Sequence, residues 1–532
     1  MLDIVITGGQ VHDGSGGMTA ADVGIAGDRI ASVGAPGELA AADADVIDAT
    51  GKVVCPGFIN ILSHSYYSVL ADPRSLGELS QGVTTEIFGE GTSMGPLTDT
   101  MQADMRAAAS DLGYEVTWRR LSEYLHHVEQ RGVAQNVASL VGAQTIRVNV
   151  VGYADRPATE PELDRMRALV AEEMADGALG IGSSLIYPPG SYASTAELTA
   201  LCEVAARYGG LYASHVRDEG PGLVRATKEF LTICRDAGLR GEHWHLKASG
   251  DANWDQLDGA VGLLAVARDA GEPITADVYP YTASSTGLTT IIPDRFHEGG
   301  PAALYERLTD PQVRAEIAAE LAASQRWGDV SAADDVLILH ALRPENRKYQ
   351  GCTLTEVAAD RGVEPVAAAM DLISSDRSRI GVAFFSMSED NLRTELRLPW
   401  VSICSDGTSM APEGVFLRAP THPRAYGSFA RVLGHYVRDE NVLTLSDAIR
   451  RMTSLPAQTL GLAGRGELTE GSFADVVVFD PAAVRDLATF ASPHQLAVGV
   501  TDVLVNGRPA IRSGEFTGTL AGRALAGPGA CR

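Results

Sequence analysis

Between residues 58 and 406 the sequence keeps repeating one pattern. Short apolar or β-branched runs at 58–64, 84–90, 136–142, 177–185, 210–215, 243–247, 274–281 and 401–406 are separated, in most cases, by helix-like stretches such as 158–174 and 195–208. Alternation of this kind predicts a parallel sheet layered with helices. Eight units over about 350 residues fit a (β/α)8 TIM-like barrel with insertions. The longest interruption, at about 290–400, is helix-rich and predicted to cover the barrel mouth. The domain expected at 56–466 is therefore this barrel.

The two ends read differently. Residues 2–6, 22–25 and 29–33 are short strand-like runs broken by glycine and aspartate turns, and 471–480 and 500–507 look the same. Two β-rich ends around an α/β middle predict one small β-sandwich built from residues 1–55 and 467–520. The tail 521–532 is small and polar, and is expected to be loosely held.

With 532 residues, 45% of them hydrophobic, the chain is long enough for both units. No run of about 18 apolar residues occurs, and the N-terminal MLDIVITGGQ has no basic stretch, so neither a membrane span nor a signal peptide is expected. Six scattered cysteines form no CxxC motif, which suits free thiols in a cytoplasmic protein. The net charge of −25 argues against a nucleic-acid partner. Nothing in the sequence fixes an oligomeric state. The cations are 39 arginines and only four lysines, so a lysine inside a motif stands out.

Barrel enzymes place their chemistry at the C-terminal ends of strands. Here those ends carry His64, Glu90, His215, His245 and Asp406. Two imidazoles and a carboxylate suit zinc, which in catalytic sites takes three protein ligands and a water. Asp406 could accept a proton from that water. His243 and His245 are two apart on the expected sixth strand and so share a face; about 6.6 Å of rise separates them, too far for one ion, and His245 is the ligand nearer the mouth. Glu86 shares a face with Glu90 but lies deeper, and would need a partner charge if buried. Cys404 reads as a small buried residue. His126, His127, His297 and His435 sit in helical or polar settings and read as ordinary surface or core histidines.

The stretch Pro56-Gly57-Phe58-Ile59-Asn60-Ile61-Leu62-Ser63-His64 resembles the first barrel strand of the amidohydrolase superfamily, usually PGFIDxHxH. Asn60 and Leu62 depart from that pattern, and of its two histidines only His64 remains. Further stretches resemble the N-acyl-D-amino-acid deacylase branch over nearly the whole length. They include Gln81-Gly82-Val83-Thr84-Thr85, Leu185-Ile186-Tyr187-Pro188-Pro189-Gly190, His215-Val216-Arg217-Asp218-Glu219, His245-Leu246-Lys247, Tyr279-Pro280-Tyr281-Thr282, Ser405-Asp406-Gly407 and His422-Pro423-Arg424.

The resemblance implies metal-dependent hydrolysis of the amide of N-acyl-D-amino acids, with a small N-acylated molecule as the partner. It implies His215 and His245 as metal ligands. The segment that carries a cysteine ligand in that branch reads Gly89-Glu90-Gly91-Thr92-Ser93 here, which leaves Glu90 as the third ligand. A carboxylate is harder than a thiolate, so Mn²⁺ or Fe²⁺ stand beside Zn²⁺ as candidate ions. The fourth-strand run Gly180-Ile181-Gly182-Ser183-Ser184 lacks the lysine of the dihydroorotase and hydantoinase relatives. Leu62 removes a ligand of a second metal position, and Ala143 stands where many relatives have a histidine, so one ion per chain is expected. His64 is then either a remaining ligand or a hydrogen-bond donor to the developing oxyanion. The resemblance also implies that Lys247 and Arg424, helped by Tyr279 and Ser285, surround the substrate carboxylate. The alternatives are a diverged amidohydrolase acting on another C–N bond and a catalytically silent ligand-binding barrel.

Overall fold

The computed structural model of the chain describes residues 1–39, 43–109, 112–324 and 332–531. The expected tail includes Arg532 and the expected insertion includes 325–331; these lie outside the described residues.

Eight parallel strands form the barrel. They are β1 (Phe58–Asn60), β2 (Val83–Phe88), β3 (Asn136–Ser139, continued by Val141–Gly142), β4 (Gly180–Ser184), β5 (Leu211–His215), β6 (Arg240–His243), β7 (Ile274–Val278) and β8 (Val401–Ile403). Each pairs with the next in parallel register. The ring closes beyond the ends of β8 and β1, where Ser63 pairs with Gly407. Two backbone bonds complete this seam: His64 N donates to Gly407 O at 2.8 Å, and Asp406 N donates to Leu62 O at 3.0 Å.

The layers follow from side-chain alternation along the strands. On β5, Tyr212 turns outward and stacks on Phe230 at 5.8 Å. Leu211 and Ala213 point the other way, into an inner cluster with Ile59, Ile87, Ala138 and Trp244. The outer layer includes α1 (Glu160–Ala175), α2 (Thr195–Arg207) and α3 (Leu223–Ala237). On α3 the buried residues Leu223, Ala226, Thr227, Phe230, Ile233 and Cys234 recur at helical spacing, which gives the helix one apolar stripe against the sheet.

Both termini join one sheet. Strand 53–56 runs antiparallel to 476–479, with Val54 opposite Val478. The expected small β domain of both termini is present, and among the described residues it is one hydrogen-bonded sheet of nine strands. It folds back on itself: Arg29, at the start of the last strand along the sheet, pairs with Phe473 just before 476–479. The enclosed core includes Ile6, Val23, Ile25, Val54, Val476 and Leu504.

The interruption after β7 has its own apolar core and a three-stranded antiparallel sheet of Ser284–Gly287, Gly381–Phe384 and Val336–His340. Helices such as Pro311–Ser324, Leu354–Arg361 and Pro365–Asp376 make up much of the rest. The tail is held rather than loose. Val137 N donates to Arg523 O at 2.9 Å, Leu525 N to Val137 O at 2.8 Å, and Gly527 N to Gly177 O at 2.8 Å. Backbone pairing, which leaves little trace in composition, ties it across the strand bottoms. No helix among the described residues is long and apolar enough to cross a membrane.

Candidate metal centre

Glu90 is the hub of the mouth. It lies just past β2, where Gly89 turns the chain with φ +111°; a Cβ there would meet the Leu140 carbonyl oxygen at 2.4 Å, so only glycine fits. The Glu90 carboxylate is shared between two groups. Its Oε1 lies 2.9 Å from His215 Nδ1 and 3.8 Å from His245 Nε2. Its Oε2 lies 3.2 Å from His64 Nε2. Ser184 Oγ fixes Oε1 with a 2.9 Å hydrogen bond. His64 Nε2 also reaches Asp406 Oδ1 at 3.0 Å.

Two triads therefore have ligand atoms close enough for one ion each: Glu90, His215 and His245, and His64, Glu90 and Asp406. Ligands of a tetrahedral ion with bonds of about 2.0–2.1 Å stand roughly 3.3 Å apart. The 2.9 and 3.8 Å separations in the first triad bracket that value. Its donors, two imidazoles and a carboxylate, suit zinc. A third group, Glu389, His435 and Glu440, is more open, and Arg393 already pairs with Glu440.

The histidines are held from behind by Glu219, four residues after His215. Glu219 Oε1 lies 3.0 Å from His245 Nδ1, and Oε2 lies 3.4 Å from His215 Nε2. Each ring thus turns one nitrogen to Glu219 and the other to Glu90. A proton on the Glu219 side leaves the lone pair on the Glu90 side for a metal. Lys247 Nζ adds its charge, 2.6 Å from Glu219 Oε1 and 2.8 Å from His245 Nδ1.

The expectation that His243 and His245 share one face of a strand is not met. β6 ends at His243, and His245 sits in a turn with φ +35°. The strand alternation stops, so the two rings part. His243 packs on Phe230 of α3 at 5.4 Å, and burial pushes its pKa down to about 3. The His245 turn is secured by its own N–H, which donates to Asp277 Oδ1 at 2.6 Å. Asp406 is the second mouth residue in left-handed backbone, with φ +46°. Strained backbone of this kind persists where surrounding contacts fix it, often at functional sites.

Electrostatics separates the groups. Burial works against ionised Glu90 and Glu219, but the facing histidines, with Lys247 for Glu219, hold both carboxyls well below their usual range. Burial also opposes a charged His64, yet its bonds to Asp406 and Glu90 raise it well above the ordinary imidazole value.

Below the mouth, Glu86 has no partner cation among the described residues, contrary to expectation. Its Oε1 accepts from Ser63 at 3.0 Å and Ser65 at 2.7 Å, and its charged neighbour is another acid, Glu78. Cys404 is buried and donates to Asp277 Oδ1 at 3.2 Å.

The cationic side gathers on Tyr279, whose ring lies 4.7 Å from the Arg424 guanidinium and 5.7 Å from Lys247 Nζ. Arg424 Nη1 donates to Asp406 Oδ2 at 2.7 Å, and Nη2 to the Ser285 carbonyl at 3.2 Å. Ser285 thus contributes its backbone to this group. His422 orients the arginine by accepting from Arg424 N at 3.0 Å.

The sequence profile of the amidohydrolase family matches residues 45–511. The chain belongs to the amidohydrolase family. Among its relatives, the D-aminoacylase of Alcaligenes xylosoxydans xylosoxydans is 34% identical over 529 residues, which cover 99% of this chain and 98% of that protein. The N-acyl-D-glutamate deacylase of the same organism is 36% identical, covering 95% and 93%. A solved structure of N-acyl-D-glutamate deacylase from Bordetella bronchiseptica, complexed with zinc and a phosphonate mimic of the tetrahedral intermediate, superposes with a TM-score of 0.82 at 32% identity, covering 99% of each chain.

In this amidohydrolase the side chains of His64, Glu90, His215, His245, Lys247, Tyr279, Asp406 and Arg424 gather at one mouth, and Ser285 joins them through its backbone carbonyl. Sequence reasoning missed Glu219, Ser184 and Asp277. A carboxylate four residues after a ligand histidine was a usable signal for Glu219. Ser184 and Asp277 act across strands and left none.

Proposed function

We propose that this amidohydrolase hydrolyses the amide of N-acyl-D-amino acids, releasing a carboxylate and the free D-amino acid. The observation that carries the reading is the Glu90 carboxylate, shared between the His215–His245 pair and His64, with Asp406 beside it and a buried Lys247–Tyr279–Arg424 group on the other flank. The D-preference is supported by the names of the relatives.

Glu90, His215 and His245 would hold one Zn²⁺ ion, with Mn²⁺ or Fe²⁺ as substitutes. When bound, such an ion polarises the amide carbonyl and makes water a stronger acid. Asp406 Oδ1 takes a proton from the attacking water and returns it to the nitrogen as the C–N bond breaks. Arg424 keeps Asp406 ionised. His64 Nε2, between Glu90 and Asp406, donates toward the oxygen on which charge develops. Lys247, Tyr279 and the remaining Arg424 N–H groups, with Ser285 bracing the arginine, orient the substrate carboxylate. A cytoplasmic location is supported by the five described cysteines, all free thiols.

The test is amine release from matched N-acetyl-D and N-acetyl-L amino acids, before and after chelator treatment and zinc addition. Hydrolysis of D substrates that chelation abolishes and zinc restores supports the reading. Silence on both enantiomers with metal bound favours another C–N bond.

A further inference from the structure

Arg424 and Lys247, paired with Asp406 and Glu219, are assigned above to the α-carboxylate. A third cation stands at the same mouth. Arg379 comes from the inserted subdomain, and its guanidinium lies 5.3 Å from the centre of the Tyr187 ring. Tyr187 in turn packs edge-on to the His215 ring at 5.4 Å. Arg379 Nη2 donates to Thr286 Oγ1 at 3.2 Å, and the Tyr187 hydroxyl lies 2.7 Å from the same oxygen. Among the described residues no carboxylate pairs with Arg379, although acids outnumber basic residues 68 to 43 in this chain.

The position is built. Gly287 leaves the space the arginine fills: a Cβ there would lie 2.8 Å from Arg379 Nε and 2.9 Å from Arg379 Cβ. The next residue, Ile380, is buried with φ +47°. A β-branched side chain in left-handed backbone is a true outlier, kept only where its surroundings enforce it. Its carbonyl is tied to Leu288 N at 2.8 Å. Strand Ser284–Gly287 thus braces both guanidinium groups, Arg424 through Ser285 and Arg379 through Thr286.

We infer that Arg379, with the Tyr187 and Thr286 hydroxyls, forms a subsite for a second carboxylate on the substrate, so that the substrates are N-acyl-D-amino acids carrying an acidic group beyond the α-carboxylate. An arginine on an aromatic face with free N–H groups is suited to paired hydrogen bonds with a carboxylate. The acidic group belongs either to the side chain, as in D-aspartate or D-glutamate, or to the acyl part, as in a succinyl group. The inference rests on the deacylase reading above.

The test compares kcat/KM of the zinc-loaded full chain on two isosteric pairs: N-acetyl-D-glutamate with N-acetyl-D-glutamine, and N-succinyl-D-leucine with N-succinamoyl-D-leucine. One acid should exceed its amide by 30-fold or more, and the pair that does so identifies the source. In Arg379→Gln that ratio should fall to within about threefold of one, and Arg379→Lys should recover part of it. Ratios near one in both wild-type pairs, or a ratio that Arg379→Gln leaves intact, would overturn the inference while the deacylase reading stands. Hydrolysis of none of the four overturns both.

Discussion

Arg424 and Asp406 form a buried pair in which only one carboxylate oxygen is used: Arg424 Nη1 donates to Oδ2 at 2.7 Å. The other oxygen, Oδ1, is turned to His64. Burial disfavours the charged acid, yet the Arg424 charge and the His64 bond hold Asp406 below the usual carboxylate range. The pair therefore supplies an ionised acceptor at neutral pH with one oxygen aimed at the site.

Asp406→Asn keeps the shape and removes the acceptor. Turnover should fall by about 10²–10⁴-fold, the usual weight of a general base. Metal content, read by elemental analysis, should stay near wild type, because Asp406 lies outside the Glu90–His215–His245 triad. Turnover close to wild type would remove Asp406 from the proton-transfer role.

Glu219→Gln tests the support behind the histidines. Losing a carboxylate partner of a ligand histidine typically weakens metal binding by about 10–100-fold. A chelator competition titration reads this directly. Unchanged affinity would mean that Glu219 acts on Lys247 alone.

Glu86 offers a test by pH. Burial raises its pKa to about 7, against hydrogen bonds from Ser65 and Ser63 that lower it, and Glu78 is the buried acid beside it. The unfolded chain loses this proton near pH ~4.3. Between those values the folded state holds more protons than the unfolded, so stability falls as pH rises. Glu86→Gln removes the titration. Its stability relative to wild type should rise by about 1–3 kcal/mol from pH 5 to pH 8 in urea unfolding. Parallel curves at the two pH values would show that the pair carries no such penalty.

The barrel was legible because its signal is repetitive: each strand is a short apolar run next to a helix-length stretch. The candidate site was legible because its residues sit at or just past strand ends, where a lone histidine or carboxylate interrupts the run. What escaped depends on geometry beyond the strand. His245 leaves β6 through left-handed backbone, which the pattern around Trp244 does not announce. Glu86 Oε1 is bonded by serines in the segment after β1, 21 and 23 residues away, so no local charge pattern marks it. The tail is bound by main-chain bonds that any small residue can make, and its composition resembled a free end.

The pairing of strand 53–56 with 476–479 bears on how the chain is made. The earlier strand leads directly into β1, so the first element of the barrel hangs from a sheet whose other half is synthesised about 400 residues later. At translation speeds of roughly 5–20 residues per second, that edge waits on the order of half a minute or more on the ribosome. During this time the apolar row Val53, Val54 and Cys55 lacks its neighbour. An unpaired strand edge is a site for wrong pairing, and this one is sealed only when almost the whole polypeptide has emerged.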